Sequence, residues 1–327
     1  MMRSLFLRRE AGIAVMIVLF CLAVGVVKPQ FLTLNSLRII LLLVPLIMIG
    51  AMGQMLVIVA RHVDLSIGSM LGFSAMVTGM MFKFYPEIWW PLGFILAIGT
   101  GALLGVLNGV LVTLFKLPAI IVTLGTLNLY RGMTYIISDA KQIDRQFVPG
   151  ALKAMSQTSP ILGIPWIIFI SFGVALLAYL FVMHSRVGRQ IFALGSNPVA
   201  APLRGINVTQ VTLLVFAISG ALSGLAGILY ASRWGFVNPS NTGAGFEFQV
   251  IAAVVIGGVS INGGNGTVLG TILGVLLLGC VAAALPLLGI PGTTQNAIYG
   301  AVILVALLID RTVRAQGIKG LRARVLA

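Results

Sequence analysis

Charge is the scarcest property of this sequence. Only 9% of its 327 residues are charged and seven are acidic, whereas 59% are hydrophobic and the mean hydropathy is +1.10. A soluble fold of this length needs far more polar surface, so the composition excludes a soluble protein. It predicts an all-α polytopic membrane protein. The net charge of +14 would also suit a nucleic-acid-binding protein. Because most basic residues fall on one predicted membrane face, orientation and anionic lipid explain this charge better, and no nucleic-acid partner is expected.

Residues that carry chemistry are also few. Cys21 and Cys280 lie in apolar runs and are expected to pack as small apolar residues, not to form a disulfide framework or a metal cluster. His62 and His184 lie beside arginines and are interpreted as polar flanks. Gly263–Thr267 has glycines like those of a phosphate-binding loop but lacks its lysine. The chain is therefore expected to be no enzyme and to bind no cofactor or metal. If it pumps, its energy comes from another subunit or an ion gradient.

An ion-coupled carrier needs ionisable groups inside the bilayer, and this sequence offers few of them. Asp64 lies in the short connection Arg61–Gly68. We expect it to cap the next helix, with Arg61 as its charge partner. Glu247 and Arg131 are predicted near the outer ends of their spans. This set is too small to predict a proton relay.

Ten apolar segments are predicted to cross a bilayer, which takes a helix of about 20 residues. The eighth is short and rich in glycine, which predicts a broken or tilted span. An even number of spans places both termini on one side, and thirteen of the 21 Lys and Arg residues fall on that side. The positive-inside rule therefore predicts cytoplasmic termini, with the first segment as an uncleaved span. The predicted spans are 11–27, 38–60, 65–83, 91–114, 118–137, 163–183, 211–231, 247–260, 267–288 and 293–310.

The sequence contains a weak internal repeat. Gly101–Gly109 is similar to Gly270–Gly279, and each stretch is followed by a span that begins with proline. These matches pair the fourth span with the ninth and the fifth with the tenth. An offset of five spans predicts inverted halves. Glycines at four-residue spacing within the spans also predict close helix contacts. The predicted divisions of a single transmembrane domain (1–327) are halves at about 1–160 and 161–310 and a cytoplasmic tail at 311–327.

Several predicted spans contain uncharged polar residues. Each one alone is expected to hold helices together by hydrogen bonding. As a set they would also suit a transient path for a neutral, hydroxyl-rich solute, which needs hydrogen-bond partners without tight binding. The candidate pathway residues are Gln54, Asn108, Thr123, Thr126, Asn128, Gln295 and Asn296.

The longest polar interruption of the apolar sequence is His184–Gln210. It carries three arginines and no acidic residue, which predicts a cytoplasmic location. Gly195–Pro198 predicts a turn, and Val199–Ala201 is predicted as a short capped helix that runs toward Gly205. A short helix held between two spans is suited to docking a partner. The stretch contains one of two Asn-Pro pairs in the chain; such pairs occur in water channels, but both lie in polar loops here and ordinary turns explain them better.

Three ordered motifs carry a family resemblance across essentially the whole chain. They are Val63–Ser69, Leu117–Thr126 with Tyr130–Gly132, and Ala252–Ser260 with a Gly-Gly-x-Gly run that begins at Gly263. In these motifs the chain resembles the ribose-type permeases of bacterial ABC importers. Those permeases usually have small residues, commonly glycine, before the first motif. This chain has Arg61-His62 there, which is closer to the rhamnose and autoinducer-2 permease branch.

The resemblance implies import of a sugar or sugar-like solute of pentose, rhamnose or autoinducer-2 type across the bacterial cytoplasmic (inner) membrane. It implies a second permease subunit, identical or related, with the pathway at the dimer axis. It also implies two cytoplasmic ATPase subunits, or one fused double ATPase, that bind ATP and Mg²⁺ in place of this chain. A periplasmic solute-binding protein would dock on 138–162 and 232–247. The alternatives are a permease of the same scaffold for branched amino acids or nucleosides, or an autonomous channel or facilitator.

The resemblance also implies roles for individual residues. In its coupling role, a short rigid helix seated in an ATPase cleft would convert ATP-driven closure into rocking of the sixth and seventh spans. The implied ATPase-coupling residues are Asn197, Pro198, Ala200, Ala201, Leu203, Arg204 and Gly205. The implied structural motif residues are Asp64, Ser66, Gly68, Gly125, Gly257 and Gly258.

Overall fold

A computed structural model describes residues 2–157, 163–291, 294–301 and 303–304, and most of this part of the chain is helical without any strand. Eight helices are long and apolar enough to cross a membrane, as a polytopic all-α membrane protein requires. The helices are α1 (Met2–Val27), α2 (Leu34–Val59), α3 (Ile67–Phe84), α4 (Leu92–Leu114), α5 (Ala119–Ser138), α6 (Gly150–Gln157), α7 (Trp166–His184), α8 (Arg186–Ser196), α9 (Ala200–Leu203), α10 (Val208–Trp234), α11 (Phe246–Ile256) and α12 (Val268–Leu287), with 3₁₀ turns at Pro29–Leu32 and Arg145–Phe147.

The predicted spans correspond to helices. The first nine coincide with α1 to α5, α7, α10, α11 and α12. The eighth span is α11, which is only 11 residues long, so the prediction of a short, interrupted span is confirmed. Of the tenth predicted span, residues 295–301 and 303–304 are helical. The rest of that span and the predicted tail at 311–327 lie outside the described residues.

The central helix of the bundle is α2. Every residue from Val44 to Val59 is buried, and the helix packs against α7, α10, α11 and α12. A helix that is apolar around its whole circumference is stable when it is enclosed on all sides. This long apolar run therefore forms the core of the bundle instead of a surface that faces lipid.

The helices α4 and α10 run antiparallel with glycine on both sides of their contact. A Cβ atom on Gly101 would clash with the carbonyl oxygen of Gly220, and one on Gly224 would clash with the carbonyl oxygen of Ala97. Lipid supplies no hydrophobic drive between helices, so close backbone approach and dispersion stabilise such contacts. The predicted close packing at four-residue glycine spacing is confirmed here.

The third predicted span begins inside the bundle. His62 lies 3.4 Å from the hydroxyl of Thr212 near the start of α10, whereas Gly227, further along α10, packs against Leu71 near the start of α3. These two α10 residues are separated by about 22 Å of helix. The non-helical residues 60–66 therefore run along α10 over part of this distance, and α3 begins beside the middle of α10.

The eighth predicted span also begins inside the bundle. Phe246, the first residue of α11, packs against Gly50 in the buried part of α2. The 11 residues of α11 cover about 16 Å, roughly half of the ~30 Å hydrocarbon core of a bilayer. The irregular segment 235–245 leads from the end of α10 to this point. Such backbone is tolerated at membrane depth because protein encloses it.

The irregular segment before α11 meets the first two turns of α3. A Cβ atom on Gly72 of α3 would lie 2.6 Å from the carbonyl oxygen of Thr242, and one on Gly68 would clash with the carbonyl oxygen of Gly243. The third and eighth predicted spans, which both begin inside the bundle, are five spans apart. This offset is the one that the internal repeat predicts.

The two cysteines are neighbours. Cys21 of α1 and Cys280 of α12 are both free thiols, and their Sγ atoms lie 3.8 Å apart. The expectation that each packs among apolar side chains holds, but the sequence did not indicate that they pack against each other. Their contact fixes where α1 lies against α12.

Candidate functional site

Asp64, in the connection between α2 and α3, is fully buried. Its Oδ1 atom accepts hydrogen bonds from the backbone N–H (2.9 Å) and the hydroxyl (2.7 Å) of Ser66, and the Ser219 hydroxyl donates to Oδ2 at 3.5 Å. The prediction that Asp64 caps the helix with Arg61 as partner is wrong, because Ser66 directly precedes α3 and Arg61 is exposed. Asp64 instead closes a turn by accepting from the N–H two residues ahead, which directs the chain into α3.

Asp64 and Ser66 belong to a buried chain of hydrogen bonds that joins three helices. Asn108 of α4 donates from Nδ2 to Ser66 Oγ at 2.8 Å. The Tyr130 hydroxyl of α5 lies 2.9 Å from Asn108 Oδ1 and 3.0 Å from the carbonyl oxygen of Leu104. All of these side chains are buried. Because an unpaired polar group is costly in such surroundings, the chain of bonds fixes α3, α4 and α5 relative to one another.

Thr123 adds a second link between α5 and the connection that precedes α3. Its hydroxyl lies 2.9 Å from the carbonyl oxygen of Ala119 in its own helix and 3.2 Å from that of Val63. Two predicted pathway residues, Asn108 and Thr123, are thus brought together with the Asp64 motif. Their polar groups have partners within the chain, which favours the helix-holding interpretation. Their part in a solute pathway stays a prediction.

The other predicted pathway residues lie apart from this network. Gln54 of α2 is fully buried, and neither polar atom of its amide has a hydrogen-bond partner in the described part of the chain. Thr126 is buried and bonds within α5, whereas Asn128 is exposed and donates to Leu124 of the same helix at 3.1 Å. Asn296 lies near Gly245 at the start of α11. Buried Gln54 and exposed Asn128 share no surface within one chain.

The seventh pathway residue, Gln295, borders a cavity of about 320 Å³ between α2, α10, α11 and α12. The rings of Tyr230 and Trp234 on this cavity lie 6.1 Å apart, and the Arg233 guanidinium lies 5.0 Å from the Trp234 ring centroid. Aromatic faces beside amides are a common lining for small polar ligands. Sequence reasoning missed this cluster, although two aromatic residues four positions apart at the end of a span were a visible signal.

The motif glycines differ in their surroundings. A Cβ atom on Gly257 would lie 2.6 Å from the carbonyl oxygen of Gly270 in α12, and one on Gly68 would clash with the Glu247 carboxylate. Gly258 has a φ of 83°, in the left-handed region that favours glycine. These contacts support a structural role for the three residues. Gly125 has open space around it on an exposed part of α5, so packing does not explain it.

Glu247 and Arg131 both lie beside the start of α3. Glu247 is buried near the start of α11, where its carboxylate lies against the first turn of α3. An anionic group at a helix N-terminus is stabilised by the helix dipole. Arg131 of α5 donates to the carbonyl oxygen of Thr242 at 2.7 Å. Glu247 is the second residue of α11, so it lies at an end of that span; that this is the outer end stays a prediction.

The predicted docking stretch lies at one end of the bundle. The short helix α9 is confirmed: Asn197 Oδ1 accepts from the backbone N–H groups of Val199 (3.1 Å) and Ala200 (3.0 Å), and Gly205 follows with a φ of 75°. Val199 and Leu203 are 80% and 86% exposed, and two neighbouring exposed apolar side chains suit a contact surface. Among the predicted coupling residues, Asn197, Pro198, Leu203, Arg204 and Gly205 are exposed, Ala200 is half-buried and Ala201 is buried.

Sequence reasoning missed α8, which precedes the turn at Asn197. The Ser185 hydroxyl accepts from the Gly188 N–H at 2.8 Å and caps the helix, and Ile191 and Leu194 are buried on one face. A serine cap followed by apolar residues at three- and four-residue spacing predicts an amphipathic helix. This apolar spacing was overlooked because the stretch was interpreted by its basic charge.

The two segments predicted to receive a binding protein are joined at the opposite end of the bundle. Ile143 and Val237 exchange backbone hydrogen bonds of 2.9 and 3.0 Å. The helix α6 packs on α10, where the Ser232 hydroxyl donates to the carbonyl oxygen of Leu152 at 2.6 Å. The described part of 138–162 is therefore joined to the residues that follow α10, whereas Phe246 and Glu247, at the end of 232–247, lie inside the bundle. Residues 158–162 lie outside the described part.

Comparison with known proteins identifies the family of this chain. Residues 36–307 match the family described as "Branched-chain amino acid transport system / permease component". The chain belongs to this family. This permease is accordingly the membrane-embedded component of a transport system, and its apolar helices place it in the inner membrane as a multi-pass protein.

Two kinds of curated relatives resemble the permease along most of its length. The autoinducer 2 import system permease protein LsrC of Salmonella typhi is 35% identical over 320 residues, which cover 98% of this chain and 90% of the relative. The ribose import permease protein RbsC of Haemophilus influenzae is 38% identical over 309 residues, which cover 93% of this chain and 94% of the relative. No solved structure matches the permease significantly.

Proposed function

We propose that this permease is the membrane-spanning subunit of an ABC importer for a sugar or sugar-like solute of pentose, rhamnose or autoinducer-2 type. The observation that carries the proposal is its similarity, over nearly the whole chain, to import permeases named for autoinducer 2 and for ribose. The family description names branched-chain amino acids, so a branched amino acid is the second candidate solute.

A partner ATPase would supply the energy. The glycine run at Gly263–Thr267 lacks a phosphate-binding lysine, and it forms the connection between α11 and α12. In the proposed assembly two ATPase subunits, or one fused double ATPase, bind ATP and Mg²⁺ on the cytoplasmic side. This chain contributes only the surface on which they dock.

That surface is the α8–α9 end of the bundle. Exposed Val199 and Leu203 supply apolar contact, and exposed Arg204 supplies charge. Asn197 holds the first turn of α9 through two backbone N–H groups. A capped helix of fixed shape loses little conformational freedom when it docks, which favours its use as a rigid contact.

A second permease subunit would meet α5, with the solute path between the two subunits. One face of α5 exposes Ile121, Leu124, Gly125 and Asn128, residues at the three- and four-residue spacing of a helix face. An amide and a glycine on an apolar exposed face suit a protein neighbour better than lipid. The same face would offer passing hydroxyl groups a hydrogen-bond partner at Asn128.

A periplasmic binding protein would deliver the solute to the opposite end. The bridge between Ile143 and Val237 joins the two loops into one docking surface. Lys141 donates to Asp139 at 2.6 Å and thereby lowers the pKa of that carboxyl group. Both side chains are exposed, so this pair contributes to the charge of the surface and little to stability.

Transport by purified protein in vesicles tests the proposal. Vesicles that contain the permease, its ATPase and an enclosed ATP supply should take up labelled ribose or autoinducer 2 only when the binding protein is present outside. Passive flux through the permease alone would establish a channel or facilitator instead. ATP-dependent uptake of leucine without uptake of either sugar-like probe would establish the second candidate.

Charge reversal at Arg204, directly after α9, tests the docking surface. We expect Arg204→Glu combined with Pro198→Ala to uncouple ATP hydrolysis from uptake while membrane insertion is retained. Arg189→Glu, on an exposed position of α8, makes the same charge change at the same end and should retain coupling. Normal uptake by the double variant would show that the ATPase docks elsewhere.

A further inference from the structure

The last turn of α8 lies directly on the end of the central helix α2. A Cβ atom on Gly195 would clash with the carbonyl oxygen of Val59 and would lie 2.5 Å from the backbone nitrogen of Gly264. The Gly264 N–H donates to the same Val59 oxygen at 2.9 Å. The last carbonyl groups of a helix have no partner within it, and here another segment supplies one. Three backbone segments therefore meet at this point, the backbone junction, defined by Gly195, Val59 and Gly264.

The loop between α11 and α12 is shaped to reach this junction. Gly263 and Gly264 have φ values of 79° and 70°, in the region that favours glycine. A Cβ atom on Gly264 would lie 2.6 Å from the Cα atom of Ser196. The Ser196 hydroxyl donates to the carbonyl oxygen of Gly264 at 3.4 Å. Backbone conformation and close approach both require glycine here, which gives a physical reason for a run that nucleotide binding does not explain.

The junction connects the docking stretch to the buried network. On one side, Ser196 is followed directly by Asn197 and the exposed helix α9. On the other side, α2 ends at Val59 and the chain continues to Asp64, which bonds to Ser66 and through it to Asn108. The end of α2 therefore contacts the docking stretch at Gly195 and continues into the connection that holds Asp64.

We infer that the backbone junction passes the movement of the docked α8–α9 stretch to α2 and to the α11–α12 loop, with Gly195 and Gly264 as positioning residues. This inference rests on the proposed docking of an ATPase at α9. Covalent connection alone would move only α7 and α10, the spans on either side of the stretch. Close-packed backbone has no flexible side chain to absorb a displacement, so the junction adds the central helix to the moving unit.

Spin-label distances in the unmodified junction provide the first test. The permease with its ATPase is placed in lipid nanodiscs, with both native cysteines replaced by serine and ATP–Mg²⁺ as the probe. Labels at Arg189→Cys on α8 and Asn262→Cys on the α11–α12 loop should keep their distance when ATP–Mg²⁺ is added. Labels at Asn262→Cys and at Glu87→Cys, beyond the far end of α3, should change theirs. The inference would be overturned if the distance in the first pair changed, or if the distance in the second pair stayed the same.

A glycine substitution provides the second test. Gly195→Ala should force α8 off Val59 and Gly264, while the ATPase still co-purifies with the permease and hydrolyses ATP. The fraction of molecules that shows the ATP-dependent change between positions 262 and 87 should fall about tenfold, within the usual range of coupling between sites. Gly173→Ala on α7, where a Cβ atom meets nothing within 4 Å, should keep that change.

The outcomes separate this inference from the proposed function. If Gly195→Ala keeps the ATP-dependent change, the junction does not carry the movement and the inference is overturned. If Gly195→Ala fails to accumulate, the label pairs with native glycines still decide. If the unsubstituted permease does not co-purify with its ATPase, the proposed docking fails, and this is known before any label is measured.

Discussion

Asn108 donates to Ser66 and lies within hydrogen-bond distance of Tyr130, so one amide joins α3, α4 and α5. Asn128, on the neighbouring helix, is exposed and bonds only to Leu124 of the same helix. The two asparagines have the same side chain and both were selected as pathway candidates. Their surroundings predict different consequences of removal.

We expect Asn108→Ala to lower the free energy of unfolding by about 1–3 kcal/mol, because it removes a buried hydrogen bond to Ser66 and leaves polar groups without that partner. Asn128→Ala should change it little. Thermal unfolding of both variants in detergent measures the difference. Equal melting temperatures would contradict the helix-joining role of Asn108.

Individual contacts could be predicted only partly from the sequence. Polar residues in apolar spans were visible, and Asn108, Asp64 and Ser66 were all selected. Their hydrogen-bond partners could not be predicted, because Ser66 and Asn108 are 42 positions apart and Asp64 and Ser219 are 155 positions apart. Arg61 was assigned to Asp64 because it is near in sequence. The structure shows that burial of Asp64 and exposure of Arg61 separate them.

At the scale of helices, glycine sets how closely α4 and α10 approach. Gly101 faces Gly220 and Gly224 across the contact, whereas Gly99, two positions earlier on α4, has nothing within 4 Å of a built Cβ atom. The same residue type on one helix therefore serves a close contact at one position and none at the other.

Gly101→Ala should separate α4 from α10 and cost about 1–3 kcal/mol, the usual range for an added group in a packed interior. Gly99→Ala adds the same methyl group to the same helix and should be neutral or slightly stabilising, since alanine favours helix. Unfolding in detergent micelles measures both. An equal gain of stability in the two variants would show that helix propensity outweighs packing, and an equal loss would show that the contact with α10 is not its cause.

Helices were predictable where their apolar pattern dominated. The nine spans that coincide with helices, the short eighth one among them, follow from hydropathy, because lipid requires continuous apolar helix. The entry points of α3 and α11 inside the bundle did not follow, since they depend on close approaches such as Gly68 to Gly243. Helix α8 was missed because its arginines concealed the buried face of Ile191 and Leu194.

For the whole molecule, the inverted halves stay a prediction, in which α3 and α11 are corresponding spans. Both α3 and α11 follow irregular backbone and begin inside the bundle, and the carboxylate of Glu247 in α11 lies against the first turn of α3. Transporters with inverted repeats commonly place such broken helices at the interface of their halves.

The orientation of the whole bundle is a separate prediction, because it depends on charge and not on packing. Thirteen of the 21 Lys and Arg residues, including Arg186, Arg189 and Arg204 at the α8–α9 end, are predicted to face the cytoplasm. In spheroplasts that carry a permease with both native cysteines replaced by serine, a membrane-impermeant maleimide should label Glu87→Cys. It should label Leu203→Cys only after the membrane is permeabilised. Both positions are exposed, so burial does not limit either reaction. The reverse pattern would place α9 outside the cell, where no cytoplasmic ATPase could reach it.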